Sequence, residues 1–174
     1  MNNFQLISPS QLDGVFDKIG KEWMLITARG KDAAGREVTN TMTASWGGMG
    51  ILWNRPVAFC FIRPQRYTYH LTEQSERLSL SFLSEEYRAA LRLCGTKSGK
   101  DTDKFKAAGI TPADYEGVPF VAEAELALVC RKLYADDLKK ECFLLPELLS
   151  NYKEDDFHRV YVVEIEAILK KNEG

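Results

Sequence analysis

The stretch Val38-Thr39-Asn40-Thr41-Met42-Thr43-Ala44-Ser45 alternates residue by residue, and the rest of the chain is read outward from it. Thr39, Thr41, Thr43 and Ser45 fall on one face; Asn40, Met42, Ala44 and Trp46 fall on the other. A side-chain period of two is the signature of a β-strand, because successive Cβ atoms point to opposite sides of the sheet. Gly47-Gly48-Met49-Gly50 follows and reads as a sharp turn out of that strand. Upstream, Trp23 to Ala28 reads as a second strand, joined to the first by the polar turn Asp32-Ala33-Ala34-Gly35-Arg36. Downstream, the longest apolar run, Pro56 to Ile62, has the length of one buried strand, placed at Val57–Ile62.

The remaining segments extend the same pattern. Leu78-Ser79-Leu80-Ser81-Phe82 alternates strictly, which predicts a half-exposed strand. Phe120–Val129, Lys132–Ala135 and Val160–Ile168 make the end of the chain strand-rich. Helices fall between strands: one or two turns capped by Ser10 and ending at Gly20, a helix over Thr68–Glu76 capped by Thr68, and another from Glu85 to Leu93 stopped by Cys94-Gly95. A short one ends at Gly109. Strands do not alternate with ten-residue helices, so a doubly wound parallel sheet is excluded. The expected fold is mainly β, of the α+β kind: an antiparallel barrel with peripheral helices, one domain over residues 1–174.

Composition removes several classes of function. The 174 residues carry 23 basic and 25 acidic side chains for a net charge of −2, and neither half is a charged arm. A polyanion-coating protein needs a basic stripe, so nucleic acid is not an expected partner. No run reaches ~18 apolar residues, and the first residues lack a basic stretch followed by an apolar one; neither a membrane span nor a signal peptide is expected. Two His and four Cys without C-x-x-C spacing give no metal or disulfide scaffold. Cys60 and Cys130, inside apolar runs, read as small buried hydrophobes, and a reducing, cytoplasmic setting follows.

G-x-G-x-x-G, Walker, H-E-x-x-H and G-x-S-x-G signatures are absent. Four places offer chemistry for an anion beside a flat ring. Asn40 to Trp46 sets hydroxyl donors next to an indole. Arg63-Pro64-Gln65-Arg66-Tyr67-Thr68 enters a helix, where guanidinium forks and free N–H groups suit phosphate oxygens. Lys97-Ser98-Gly99-Lys100-Asp101-Thr102-Asp103-Lys104 is a polar loop, and Asp155-Asp156-Phe157-His158-Arg159 precedes the last strand. Each has a bland reading as well: a half-exposed strand with a core tryptophan, a solvated Arg pair with a routine Thr cap, a surface loop, a surface histidine. Together they describe a dianion held by hydroxyls, arginine and lysine next to an aromatic surface.

Three motifs resemble the flavin reductase-like family, and within it the flavoredoxin branch: N-x-M-T-A-S-W-G-G at 40–48, R-P-x-R-Y-T at 63–68 and C-G-x-K-S-G-K-D-x-D-K-F at 94–105. The resemblance implies an FMN-binding split β-barrel with Greek-key strands, a homodimer, and non-covalent FMN near the subunit interface. It places Asn40, Met42, Thr43, Ala44, Ser45 and Trp46 along the flavin, and Arg63, Arg66, Tyr67 and Thr68 on its phosphate side. Ser98 and Lys104 become the loop that reaches the cofactor, and His158 the candidate catalytic residue near the nicotinamide or flavin ring. The implied activity is NAD(P)H-dependent flavin reduction, with hydride passing from nicotinamide to FMN. Two alternatives stay open: an FMN-bound electron carrier served by a redox protein, without its own nicotinamide site, and a split barrel holding a non-flavin ligand.

Overall fold

The computed structural model describes residues 3–172, so Met1, Asn2, Glu173 and Gly174 lie outside the described residues. The strands are β1 (Phe4–Leu6), β2 (Met24–Lys31), β3 (Glu37–Ala44), β4 (Gly47–Leu52), β5 (Arg55–Ile62), β6 (Arg77–Phe82), β7 (Pro112–Tyr115), β8 (Val118–Val121), β9 (Leu126–Asp137) and β10 (Arg159–Lys171). The helices are α1 (Val15–Asp17), α2 (Tyr67–Gln74), α3 (Arg88–Thr96) and α4 (Lys104–Ala108). The main sheet runs β3-β2-β6-β9-β10-β5-β4 with every pairing antiparallel, and β1 adds to the far end of β10. β7 and β8 form a separate hairpin. The outermost strands of the path, β3 and β4, are consecutive in the chain and joined only by Ser45 and Trp46. That link draws the two ends of the sheet to one corner, and the sheet curls into a barrel around it.

Two cores follow from the strand period. Met24 and Ile26 of β2 point into the barrel with Met42, Cys60, Ile62, Leu80, Leu128, Cys130 and Tyr161. Leu25, between them in sequence, packs outward with Leu91, Cys94, Phe105, Phe120 and Val129 beneath α3, α4 and the β7–β8 hairpin. Both faces of β2 are therefore buried from Met24 to Ala28, which is why that part is apolar rather than alternating but for Thr27, whose hydroxyl bonds Thr41. Cys60 and Cys130 are fully buried free thiols, and burial pushes the Cys60 thiol up to about 12, so neither is reactive.

Several expectations are corrected. Gly47 to Gly50 is not a turn but the start of β4, paired with β5 from Gly47 opposite Cys60 to Leu52 opposite Arg55. The glycine serves close approach instead: a Cβ at Gly47 would sit 2.6 Å from the Phe59 carbonyl oxygen. Gly47→Ala is expected to cost about 1–3 kcal/mol, read as a lowered urea midpoint at unchanged slope. Strand β6 is buried on both faces, not half exposed: Ser79 Oγ donates to the Pro119 carbonyl at 2.6 Å, and Ser81 Oγ accepts from the Val121 amide. A second layer, β8, satisfies hydroxyls whose alternation had pointed to solvent. The expected strand Phe120–Val129 is broken at Ala122–Glu125, and Lys132–Ala135 continues β9. At the N-terminus Ser10 lies within a 3-10 turn over Pro9–Gln11, preceded by the cap Ser8, and helical structure runs past Gly20 to Glu22.

Two corrections bear on the site. Helix α2 starts at Tyr67 with Arg66 as its N-cap; Thr68, instead of capping, is buried in the first turn. Helix α3 does not stop at Cys94-Gly95 but runs through both, so their carbonyls belong to its last turn.

Candidate functional site

Three adjoining clefts follow the outer edge of β3. The first, about 170 Å³, opens at the barrel corner and is lined by Met42, Thr43, Ala44, Ser45, Trp46, Phe61, Arg63, Arg66 and His158. The second, about 110 Å³, shares Arg66 with it and adds Gln65, Tyr67, Thr96, Lys97, Ser98 and Lys104. The third, about 770 Å³, shares Tyr67 and Lys104 with the second and reaches Asn40, Arg36 and the 99–106 segment. Residues from all four candidate stretches thus line one track of three clefts linked through the shared side chains Arg66, Tyr67 and Lys104.

The middle of that track is electrostatically incomplete. Lys104 is 2% exposed, and its Nζ donates to the carbonyls of Thr41 and Cys94, both at 2.9 Å. The Arg66 guanidinium donates to the same Cys94 carbonyl at 3.1 Å and to that of Gly95 at 2.8 Å. Two full positive charges therefore meet at the C-terminal turn of α3, which offers about half a negative charge. Neither side chain joins a carboxylate in an ion pair among the described residues. Burial, and then the neighbouring Arg66, lowers the Lys104 ammonium to about 8; burial also lowers Arg66. An anion in the second cleft would supply the missing charge, and Ser98 lies beside it with its hydroxyl accepting from the Lys100 amide at 3.2 Å.

The hydroxyl row on β3 is turned to structural use. Thr39 accepts from Arg29, Thr41 is tied to Thr27 and to the Ile26 carbonyl, and Thr43 donates to the Leu91 carbonyl of α3. The row of free donors expected along a ligand is not there; Ser45 alone among the four has no such bond. On the opposite face, Met42 belongs to the barrel core and Ala44 packs against it. Asn40 Nδ2 donates to Thr68 Oγ1 at 2.9 Å, a buried bond that ties β3 to the first turn of α2. Asn40 and Thr68 thus position the strand and helix that carry the clefts. Gly99 lies against Asn40 so closely that any Cβ there would run into its amide.

At the corner, Trp46 is not a core residue but 45% exposed, with its ring 5.2 Å from that of His158. His158 is not on the surface: it is 8% exposed, flanked by Phe61, and Nδ1 meets the Tyr152 hydroxyl at 3.0 Å. Burial, then the nearby Arg63 charge, lowers it to about 4, so the imidazole is neutral at pH 7. Arg63 stands at this aromatic corner, over the Tyr152 ring. Its guanidinium is held by Asp156 and by the Asn151 carbonyl, and Gln65 also bonds Asp156. Sequence reasoning missed Phe61 and Tyr152. Phe61 is distinguishable only by its place two residues before Arg63, and Tyr152 lies in a segment with no periodicity.

A curled antiparallel sheet whose corner opens onto an aromatic cleft, with a cation pair one cleft further on, defines the class: a split β-barrel with peripheral helices. Residues 16–173 match the family model for the flavin reductase like domain, and the chain belongs to that family. No curated protein sequence matches it. Among solved structures it is similar to an FMN-binding domain of a flavin reductases-like enzyme from Shewanella baltica OS155, at 16% identity, covering 97% of this chain and 78% of that one, with a TM-score of 0.69. It is similar also to an FMN-binding protein from Thermus thermophilus with bound p-hydroxybenzaldehyde (20% identity, 98% and 82% covered, TM-score 0.66). A third likeness is to the flavoredoxin of Desulfovibrio vulgaris (Miyazaki F), at 21% identity, 96% and 77% covered, with a TM-score of 0.65. At these identities the likeness is one of fold. Among the described residues, no helix is long and apolar enough to cross a membrane.

Proposed function

We propose that the chain is an FMN-binding flavoprotein oxidoreductase whose reaction is NAD(P)H-dependent flavin reduction. One observation carries the reading: Arg66 and Lys104 converge on one carbonyl with no carboxylate between them, one cleft away from an aromatic corner. A phosphate of about −1.5 to −2 charge fits that deficit, and a tricyclic ring at the other end of a short polar chain fits the corner. When bound, FMN supplies a ring that takes up a hydride and passes electrons on.

The chain's own residues then divide the work. Arg66 and Lys104 bind the phosphate, with Ser98 and Tyr67 beside it. The β3 edge from Thr43 to Ser45 meets the polar chain and the ring through its backbone and the Ser45 hydroxyl. Trp46, Phe61 and His158 wall the ring, Met42 and Ala44 support it from the barrel, and Arg63 fixes the neighbouring loop through Asp156. A second copy of the chain completes the site. An apolar cleft of about 610 Å³, lined by Val15, Phe16, Ile19 and Met49, opens on the other side of Trp46, and a homodimer would cover it. Free thiols at all four cysteines, one of them exposed, suit a reducing, cytoplasmic setting.

The likeness to flavoredoxin favours a second reading, an FMN-bound electron carrier. The visible spectrum of the purified protein, taken anaerobically before and after NADH or NADPH, separates the two. Flavin bands that bleach with one nicotinamide support the reductase; bands that bleach only with dithionite support the carrier. Colourless protein that takes up no FMN overturns both, leaving a split barrel for a non-flavin ligand.

A further inference from the structure

Among the described side chains that touch the aromatic corner, Tyr152 has no part in the reading above. It lies in a 3-10 turn and loop that bridges β9 and β10, buried against Phe143 and stacked on Phe157 with ring centroids 4.8 Å apart. Among the described residues its hydroxyl has one hydrogen-bond partner, His158 Nδ1 at 3.0 Å. We propose that Tyr152 is a positioning residue: its hydroxyl donates to Nδ1 and fixes His158 as the Nε2–H tautomer, an uncharged hydrogen-bond donor facing the cleft.

The direction of the bond follows from the alternative. If Nδ1–H donated to the phenol oxygen, the hydroxyl hydrogen would be left without an acceptor inside an aromatic nest. An orphaned buried donor costs about 1–3 kcal/mol. With the hydroxyl donating, both groups are satisfied, and the Nε2 proton is left for the cleft that His158 lines. The charged groups facing the ring act together with burial. Arg63 lies over the Tyr152 ring, 5.2 Å from its centroid, and disfavours an imidazolium. Asp156 favours one, but its Oδ2 is engaged by both Arg63 and Gln65, while Oδ1 is buried without a hydrogen-bond partner among the described residues. Trp46 and Phe61, the remaining neighbours, carry no charge. Such a ring holds a proton at Nε2 without releasing it. The atom it meets in the cleft is therefore a hydrogen-bond acceptor such as a carbonyl oxygen, on the flavin or its redox partner. That last clause rests on the flavin reading; the tautomer does not.

The test is the ¹⁵N spectrum of the ligand-free, full-length protein, in which His158 is told from His70 by comparison with His158→Asn. At neutral pH, Nδ1 is expected to show the pyridine-type shift and Nε2 the pyrrole-type shift. In Tyr152→Phe, which keeps the ring and its packing, the other tautomer should become populated. The imidazole pKa should also rise by about one unit, a tenfold change in proton affinity, because a donor to the neutral form is lost. A protonated Nδ1 in the parent chain overturns the proposal even if the variant fails to fold, and so does an unchanged spectrum in a folded variant. Because no flavin is present, failure here leaves the flavin reading standing, and a chain that binds no FMN leaves the tautomer result standing.

Discussion

A chain carrying both Arg66→Ala and Lys104→Met is expected to bind FMN about a thousandfold more weakly than the parent chain, by calorimetric or fluorescence titration. Each charged contact to a phosphate is worth about 1.5–3 kcal/mol, and every 1.4 kcal/mol is tenfold. Single variants should each lose roughly ten- to a hundredfold. The two losses will not simply add, because the side chains share the Cys94 carbonyl and repel each other. Stability separates lost binding from lost fold. Lys104 holds its proton to about pH 8 in the folded chain, against 10.5 as its ordinary value. The unfolded chain therefore binds more protons between those values, and the stability of the ligand-free protein should rise with pH across that window. Lys104→Met should abolish that rise. Below pH 8 the charge is a full liability to the empty protein and an asset only to a liganded one.

Acid should act through His158. Its folded value near 4 lies below its ordinary 6.5, so the unfolded chain takes up the proton first as pH falls. Stability is fully present above pH 6.5 and is lost as pH drops towards 4, by on the order of 3 kcal/mol. In His158→Asn this part of the acid loss should disappear, leaving only what the carboxylates contribute. Urea midpoints measured at half-unit steps from pH 4 to 7 read the difference directly; identical slopes in the two chains would mean that the ring is not held neutral.

Much of the barrel is legible in the sequence because the signal there is local, carried by consecutive residues of one strand. The alternation of Val38 to Ser45 gives β3, and the apolar run at Val57–Ile62 gives most of β5. Strand β6 is misread because the partner of Ser79 and Ser81 is a hairpin some forty residues on, invisible to any local period. Gly47 is misread for a different reason. Glycine that permits a turn and glycine that admits a neighbouring backbone look the same until the Phe59 carbonyl is in place. At the site, residue types were legible and their commitments were not. Arg63 and Arg66 are equivalent on paper, yet Asp156 neutralises one and helix carbonyls leave the other charged. The threonines of β3 looked like ligand donors and are tied to Ile26 and Leu91 instead. Tyr152 gave no signal, since its role depends on one hydroxyl reaching one ring nitrogen across an irregular loop.

The phosphate is what Arg66 and Lys104 would hold, and riboflavin, which lacks it, isolates the contribution. Side-by-side titration of the purified, flavin-free protein with FMN and with riboflavin at pH 7 tests it most directly. FMN is expected to bind at least about a hundredfold more tightly, by the worth of the charged contacts, and the preference should vanish in the Arg66→Ala, Lys104→Met chain. Equal affinity for the two ligands, or a preference for FMN that survives both substitutions, would contradict it.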